Sequence, residues 1–98
     1  MNMQRTPSHP GGLIREVLLP ELGLSVSALA RHCGVSRNTM SKLINERADV
    51  TEDLAIRLSR ALGSTPEFWL NMQARHNLHK LMQKRKETYE GIKRVEAA

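Results

Sequence analysis

The sequence lacks the features that staple or anchor small proteins. It holds one cysteine, Cys33, in 98 residues, so no intrachain disulfide can form. Its only aromatics are Phe68, Trp69 and Tyr89, so the core must be built from aliphatic side chains and methionine. No apolar run approaches the roughly 20 residues that span a bilayer. The N-terminus has no apolar segment of the secretory kind. Gly11-Gly12 lacks the further Gly or Lys of a phosphate-cradling loop. No Ser, His and Asp arrangement stands out for nucleophilic catalysis. His76 and His79 have the spacing of metal ligands on a helix, but no nearby acid completes the metalloprotease pattern, and both read as surface histidines. His9 reads as a loop or cap element. These absences exclude a disulfide scaffold and a membrane-spanning protein and argue against an enzyme. They lead to the expectation of a protein without metal or cofactor, working in a reducing cytoplasm.

Length and composition then suit one domain. Apolar residues make up 40% of the chain, enough for a core without metals or disulfides. The net charge of +5 is unevenly placed. Residues 1–74 carry eight Lys/Arg against seven Asp/Glu, whereas residues 75–98 carry seven against three. A basic balance favours a polyanionic partner without specifying one.

The most informative stretch is Ser25–Asn45. Ser25 or Ser27 can cap a helix whose inward stripe is Leu29, Ala30 and Cys33. Ala30 is small where two helices must approach. Gly34 follows, where a chain leaving a helix turns left-handed at little cost to glycine. Val35 plugs the gap, and Ser36 caps a second helix with Met40, Leu43 and Ile44 inward. With a step of about 100° per residue, Asn38, Ser41, Lys42 and Asn45 then point away from the core. Arg37 and Thr39 lie on the flanks. This outer face has no acid and no large hydrophobe. Asn pairs with adenine, Arg with guanine, and Thr or Lys serves bases or phosphates. The free amides and partial positive charge at the helix start suit a phosphate beside Ser36. The whole is a helix-turn-helix whose second helix is shaped for the major groove, and the expected DNA-binding residues are Ser36, Arg37, Asn38, Thr39, Ser41, Lys42 and Asn45.

Around this unit the pattern predicts a mobile arm over residues 1–9 and a domain over 10–78. A first helix is expected from about Gly12 to Leu19, with Leu13, Ile14, Val17 and Leu18 inward and Pro20 as its stop. Leu22 and Leu24 should tuck the connection against the core. Residues 46–50 read as a loop. Thr51 caps a fourth helix striped by Leu54, Ala55, Leu58, Ala61 and Leu62, ended by Gly63. Ser64 or Thr65 caps a fifth, with Pro66 in its first turn and Phe68, Trp69 and Met72 turned inward, Leu78 being a further candidate. No obvious breaker follows until Gly91, so a basic helical extension or tail is expected over 79–98. Its sparse stripe, Leu78, Leu81, Met82, Tyr89, Ile92 and Val95, needs a second copy of the chain or a partner protein to cover it, because a lone helix of this kind is marginal in water.

His9-Pro10-Gly11, Leu22-Gly23-Leu24-Ser25, the helix-turn-helix and Thr65-Pro66-Glu67-Phe68-Trp69-Leu70-Asn71-Met72-Gln73 together resemble the HigA family of antitoxins, within the lambda-repressor-like group. The resemblance covers about residues 7–78. It implies an all-α, five-helix domain that dimerises on a palindromic operator in its own promoter. It further implies a HigB-like toxin partner that cuts messenger RNA. A solitary regulator of the same fold, without a toxin, is the alternative; a protein-interaction module with a basic tail is a third reading.

Overall fold

Helix caps set the element boundaries. The computed structural model describes residues 7–96. It contains α1 (Pro10–Leu13), a π-turn (Ile14–Leu18), α2 (Leu19–Leu22), α3 (Val26–Cys33), α4 (Arg37–Ile44), α5 (Glu52–Leu62), α6 (Pro66–Lys84) and α7 (Lys86–Glu90). No strand occurs among the described residues. The hydroxyls of Ser25, Ser36, Thr51 and Thr65 accept from the amides three residues on, at 3.1, 3.0, 3.2 and 3.1 Å. Each satisfies a donor that the first helical turn leaves free. Because Leu13, Ile14, Leu18 and Leu19 all keep right-handed helical dihedrals, α1, the π-turn and α2 form one N-terminal rod. With that rod counted once, five helices run through α6, and the fold is the expected all-α one.

The core is aliphatic around a single large aromatic. Ile14, Leu29, Met40, Leu43, Leu58 and Trp69 are essentially inaccessible to solvent. They come from the rod, α3, α4, α5 and α6, so the helix-turn-helix is packed from both sides. Cys33 is buried on the α3 stripe, and burial raises its thiol pKa, with Arg57 opposing.

Five expectations are corrected. The first helix starts earlier, at Pro10, and passes Pro20 to end at Leu22. A proline ring clashes with the carbonyl four residues back in an α-helix. Here the preceding turn is wider, and the Leu19 amide donates to Ile14 five residues back, which gives the ring room. The same π-turn changes the register: Ile14 and Leu19 point inward while Val17 is 41% exposed. Leu22 is 53% exposed, and only Leu24 of that connection packs on the core. Phe68 is 44% exposed; it stands edge-on to Trp69, with ring centroids 5.1 Å apart, while Trp69 alone fills the core. Finally, α6 ends at Lys84 rather than running to Gly91, and Arg85 breaks it with φ −117° and ψ 33°. Lys84, Arg85 and Lys86 are successive cations, which suit a helix C-terminus, and Glu87 suits the following N-terminus.

Residues 1–6 of the expected arm, and the last two residues of the chain, lie outside the described residues. The radius of gyration is 16.6 Å, against about 13 Å for a compact chain of this length. α6 continues for 11 residues beyond Gln73, its last buried residue, and α7, which has no buried residue, follows it.

Candidate nucleic-acid interface

The second helix of the helix-turn-helix, α4, divides as the spacing predicts. Met40, Leu43 and Ile44 are buried. Ser36, Arg37, Asn38, Thr39, Lys42 and Asn45 are exposed, and Ser41 is half-exposed. The structure therefore gathers all seven expected residues on one accessible, acid-free side.

Within that side the seven are not equivalent. Ser36 Oγ accepts from the Thr39 amide and donates to Thr39 Oγ1 at 2.9 Å. Asn45 Nδ2 donates to the Ser41 carbonyl at 3.0 Å and to Ser41 Oγ at 3.3 Å. These two pairs hold the helix ends. Arg37, Asn38 and Lys42 point into solvent between them, with their donors and acceptors free of partners among the described residues.

Two polar clamps hold this helix and a third holds the loop after it, none of them visible in local spacing. At its start, Gly34 takes φ 72° to make the turn. Arg57 of α5 reaches across, its Nη1 donating to the Cys33 and Gly34 carbonyls at 2.9 and 3.2 Å. Asp53 fixes the same guanidinium through Nε at 2.8 Å. At its end, Arg15 of the π-turn donates to the Ile44 carbonyl at 2.7 Å. Beyond it, the loop to α5 is tied to α6. Gln73 Oε1 accepts from the Val50 amide at 2.9 Å, Gln73 Nε2 donates to Asn77, and Asn77 Nδ2 donates to Asp49. The only sequence signal for these residues is a polar group at a core-facing register, as at Gln73.

The N-terminal rod sits flush on α4. A Cβ at Gly11 would collide with the Leu43 carbonyl oxygen. His9 caps the rod: its buried Nδ1 accepts from the Gly11 amide at 2.9 Å. Burial lowers the His9 pKa, His76 and Lys80 add to that, and Glu46 and Asp49 oppose it. His76 stands edge-on to His9, with ring centroids 4.9 Å apart, and its Nδ1 lies 2.8 Å from the Pro7 carbonyl. His76 is thus half-buried and in contact with the rod, not a free surface group.

One open groove of about 630 Å³ follows α6 past Asn77, Lys80, Leu81 and Lys84. No group of three His, Cys, Asp or Glu among the described residues is placed to hold a metal ion. No described helix is long and apolar enough to cross a membrane.

Comparison with known proteins agrees with this geometry. The helix-turn-helix family matches residues 14–70. The antitoxin HigA-1 of Vibrio cholerae is 46% identical over 70 residues, covering 71% of this chain and 66% of that protein. Two solved structures share nearly the whole fold. The antitoxin GraA in complex with its operator is 39% identical, covers 99% of each chain and has a TM-score of 0.86. The Pseudomonas aeruginosa antitoxin HigA with higBA promoter is 32% identical, covers 92% of this chain and 99% of that one, and has a TM-score of 0.85. The chain thus belongs to the HigA antitoxin family of helix-turn-helix proteins.

Proposed function

We propose that this chain is a DNA-binding antitoxin that binds as a dimer to a palindromic operator in its own promoter, represses it, and neutralises an mRNA-cleaving toxin of the HigB kind in the cytoplasm. It acts by binding, not by catalysis. The observation that carries the reading is the outer side of α4, where Arg37, Asn38 and Lys42 stand free on a helix whose opposite side is buried. Asn38 offers the paired donor and acceptor that adenine presents, and Arg37 the fork that matches guanine. Ser36 and the first amides of α4 face a phosphate. Thr39, Ser41, Lys42 and Asn45 complete the contact, with Lys42 shared between base edges and backbone. The GraA and P. aeruginosa HigA structures, solved with operator and promoter DNA, support the docking of this fold on a duplex. Two-fold symmetry sets the half-sites about one helical turn, roughly 34 Å, apart.

The test is a titration of the purified protein against the DNA immediately upstream of its gene and against random DNA, at two salt concentrations. A preference that persists at the higher salt, with two protomers per site, is expected. Equal affinities erased by salt would reduce the interface to a generic basic surface. For the toxin, co-expression with the product of the adjacent small reading frame should give a stable complex and spare messenger RNA; free toxin activity in its presence would leave a solitary regulator.

A further inference from the structure

We propose that Arg15 is a positioning residue for operator recognition, fixing from the N-terminal rod the point at which the recognition helix ends. The inference rests on the operator reading above, and begins with the carbonyls at the end of α4. The amides of Asn45, Glu46 and Arg47 turn back to the carbonyls of Ser41, Leu43 and Lys42, at 3.0, 3.0 and 2.8 Å. That leaves the Ile44 carbonyl without a backbone donor, at the negative end of the helix dipole. Arg15, 29 residues away in sequence, supplies the donor at 2.7 Å.

The same guanidinium holds the residue that makes the stop. Glu46 is the only non-glycine residue with positive φ among the described residues, at 61°. It occupies the left-handed position that glycine fills at the ends of α2, α3 and α5, a conformation that a side chain disfavours. Its carboxylate lies 3.4 Å from Arg15 Nη2, which also lies 3.3 Å from Glu16. The rod lies close against this end of α4, since Gly11 leaves no room for a Cβ beside the Leu43 carbonyl.

Arg15 reaches the reading face through its neighbours, the Ile44 carbonyl and the Glu46 carboxylate. Asn45, which it stops, ties back to Ser41, and Arg47 begins the loop. Loss of the guanidinium frees Glu46 to leave the left-handed region, and the Ser41–Asn45 end of the reading face loses its fixed register in the groove. Specificity falls while the free side chains Arg37, Asn38 and Lys42 remain.

The test uses the full chain with Arg15→Ala and Arg15→Lys, in two arms. In the absence of DNA, Arg15→Ala should raise amide exchange at Glu46 and Arg47 about tenfold and leave Met40 and Leu43 unchanged, as for local opening. On DNA, its preference for operator over random sequence should fall about tenfold with random binding retained, within the range of one good base contact. Arg15→Lys, which keeps a donor for Ile44, should recover most of both. Unchanged exchange at Glu46 and Arg47 would overturn the proposal without reference to DNA. So would a lower melting temperature with full preference retained, or a lysine variant that recovers neither. Equal loss on both DNAs with a shallower salt slope would make Arg15 a phosphate contact instead. A wild-type protein with no preference would sink the operator reading, while the exchange arm would still decide whether Arg15 sets the helix end.

Discussion

The two halves of α6 are one continuous helix under different constraints. The first half, from Pro66 to Gln73, carries Trp69 at 1% and Gln73 at 4% exposure, and Gln73 reaches the Val50 amide across 23 residues. The second half, after Asn77, exposes Leu78, Leu81 and Met82 and makes no hydrogen bond to a distant described residue. The same helical periodicity runs through both. The difference shows that a helix in this chain is fixed by what it packs against and only permitted by its own spacing.

Neighbouring residues give the sharpest contrast. Trp69 fills the core and donates through Nε1 to Ser64 Oγ at 2.6 Å, whereas Phe68 leans on it from outside. Trp69→Ala is expected to cost about 3–5 kcal/mol, as for other buried aromatics. Phe68→Ala should cost about 1 kcal/mol, since much of its area is already wet. Urea unfolding of the two variants would settle the order, and equal losses would mean that Phe68 belongs to the core after all.

Glycines repeat the contrast at lower amplitude. Gly→Ala inside a helix normally stabilises by about 0.5–1 kcal/mol. At Gly11 the new Cβ meets the Leu43 carbonyl, and the expected result is a loss of about 3 kcal/mol, as in overpacking. At Gly91 the nearest atoms lie 3.5 Å away, so Gly91→Ala should be neutral or slightly stabilising. Thermal melts of both variants in one buffer test the pair. A Gly11→Ala protein as stable as wild type would mean that the rod does not rest on α4.

What was legible in the sequence follows the same division. Ser36 and Thr51 act over three residues, and each cap was visible because its signal is local; Ser25 and Thr65 were each one of two neighbouring candidates. The outer side of α4 was visible because one period fixes both faces of a helix. The π-turn was not, since nothing local shows that Pro20 will be passed and Val17 turned out. Arg15, Arg57 and Gln73 act across 23 to 29 residues, and no local pattern distinguishes them from other polar residues on a helix. The break at Arg85 was missed because neither Gly nor Pro marks it.

His9 offers a smaller, pH-dependent test of the packed half. Its Nδ1 accepts from Gly11, so only the neutral ring caps the rod, and burial lowers its pKa below the ordinary value. A histidine with a depressed folded pKa contributes stability that is fully present above its unfolded pKa of about 6.5 and declines as pH falls through the window below it. Acidification should therefore destabilise the protein. His9→Asn keeps an N-cap acceptor without titrating, and should flatten that part of the dependence between about pH 7.5 and 5.5. An unchanged slope in the variant would assign the effect to other groups.

The smallest effect is expected at Leu81, on the uncovered half of α6. Leu81 is 43% exposed and Leu78 and Met82 more so, so replacing Leu81 with Gln should shift monomer stability by no more than about 0.5 kcal/mol, as at other surface sites. If a second copy covers this stripe in the proposed operator-binding dimer, the same change has a second consequence. Dimer dissociation, followed by sedimentation over a range of concentrations, should move to higher protein concentration while the melting temperature of the dilute monomer stays put. That separation matters, because a change in the dimer alone would place the stripe between protomers. A loss of more than about 1 kcal/mol at every concentration would instead mean that the projecting half is packed within a single chain, and the contrast between the two halves of α6 would fail.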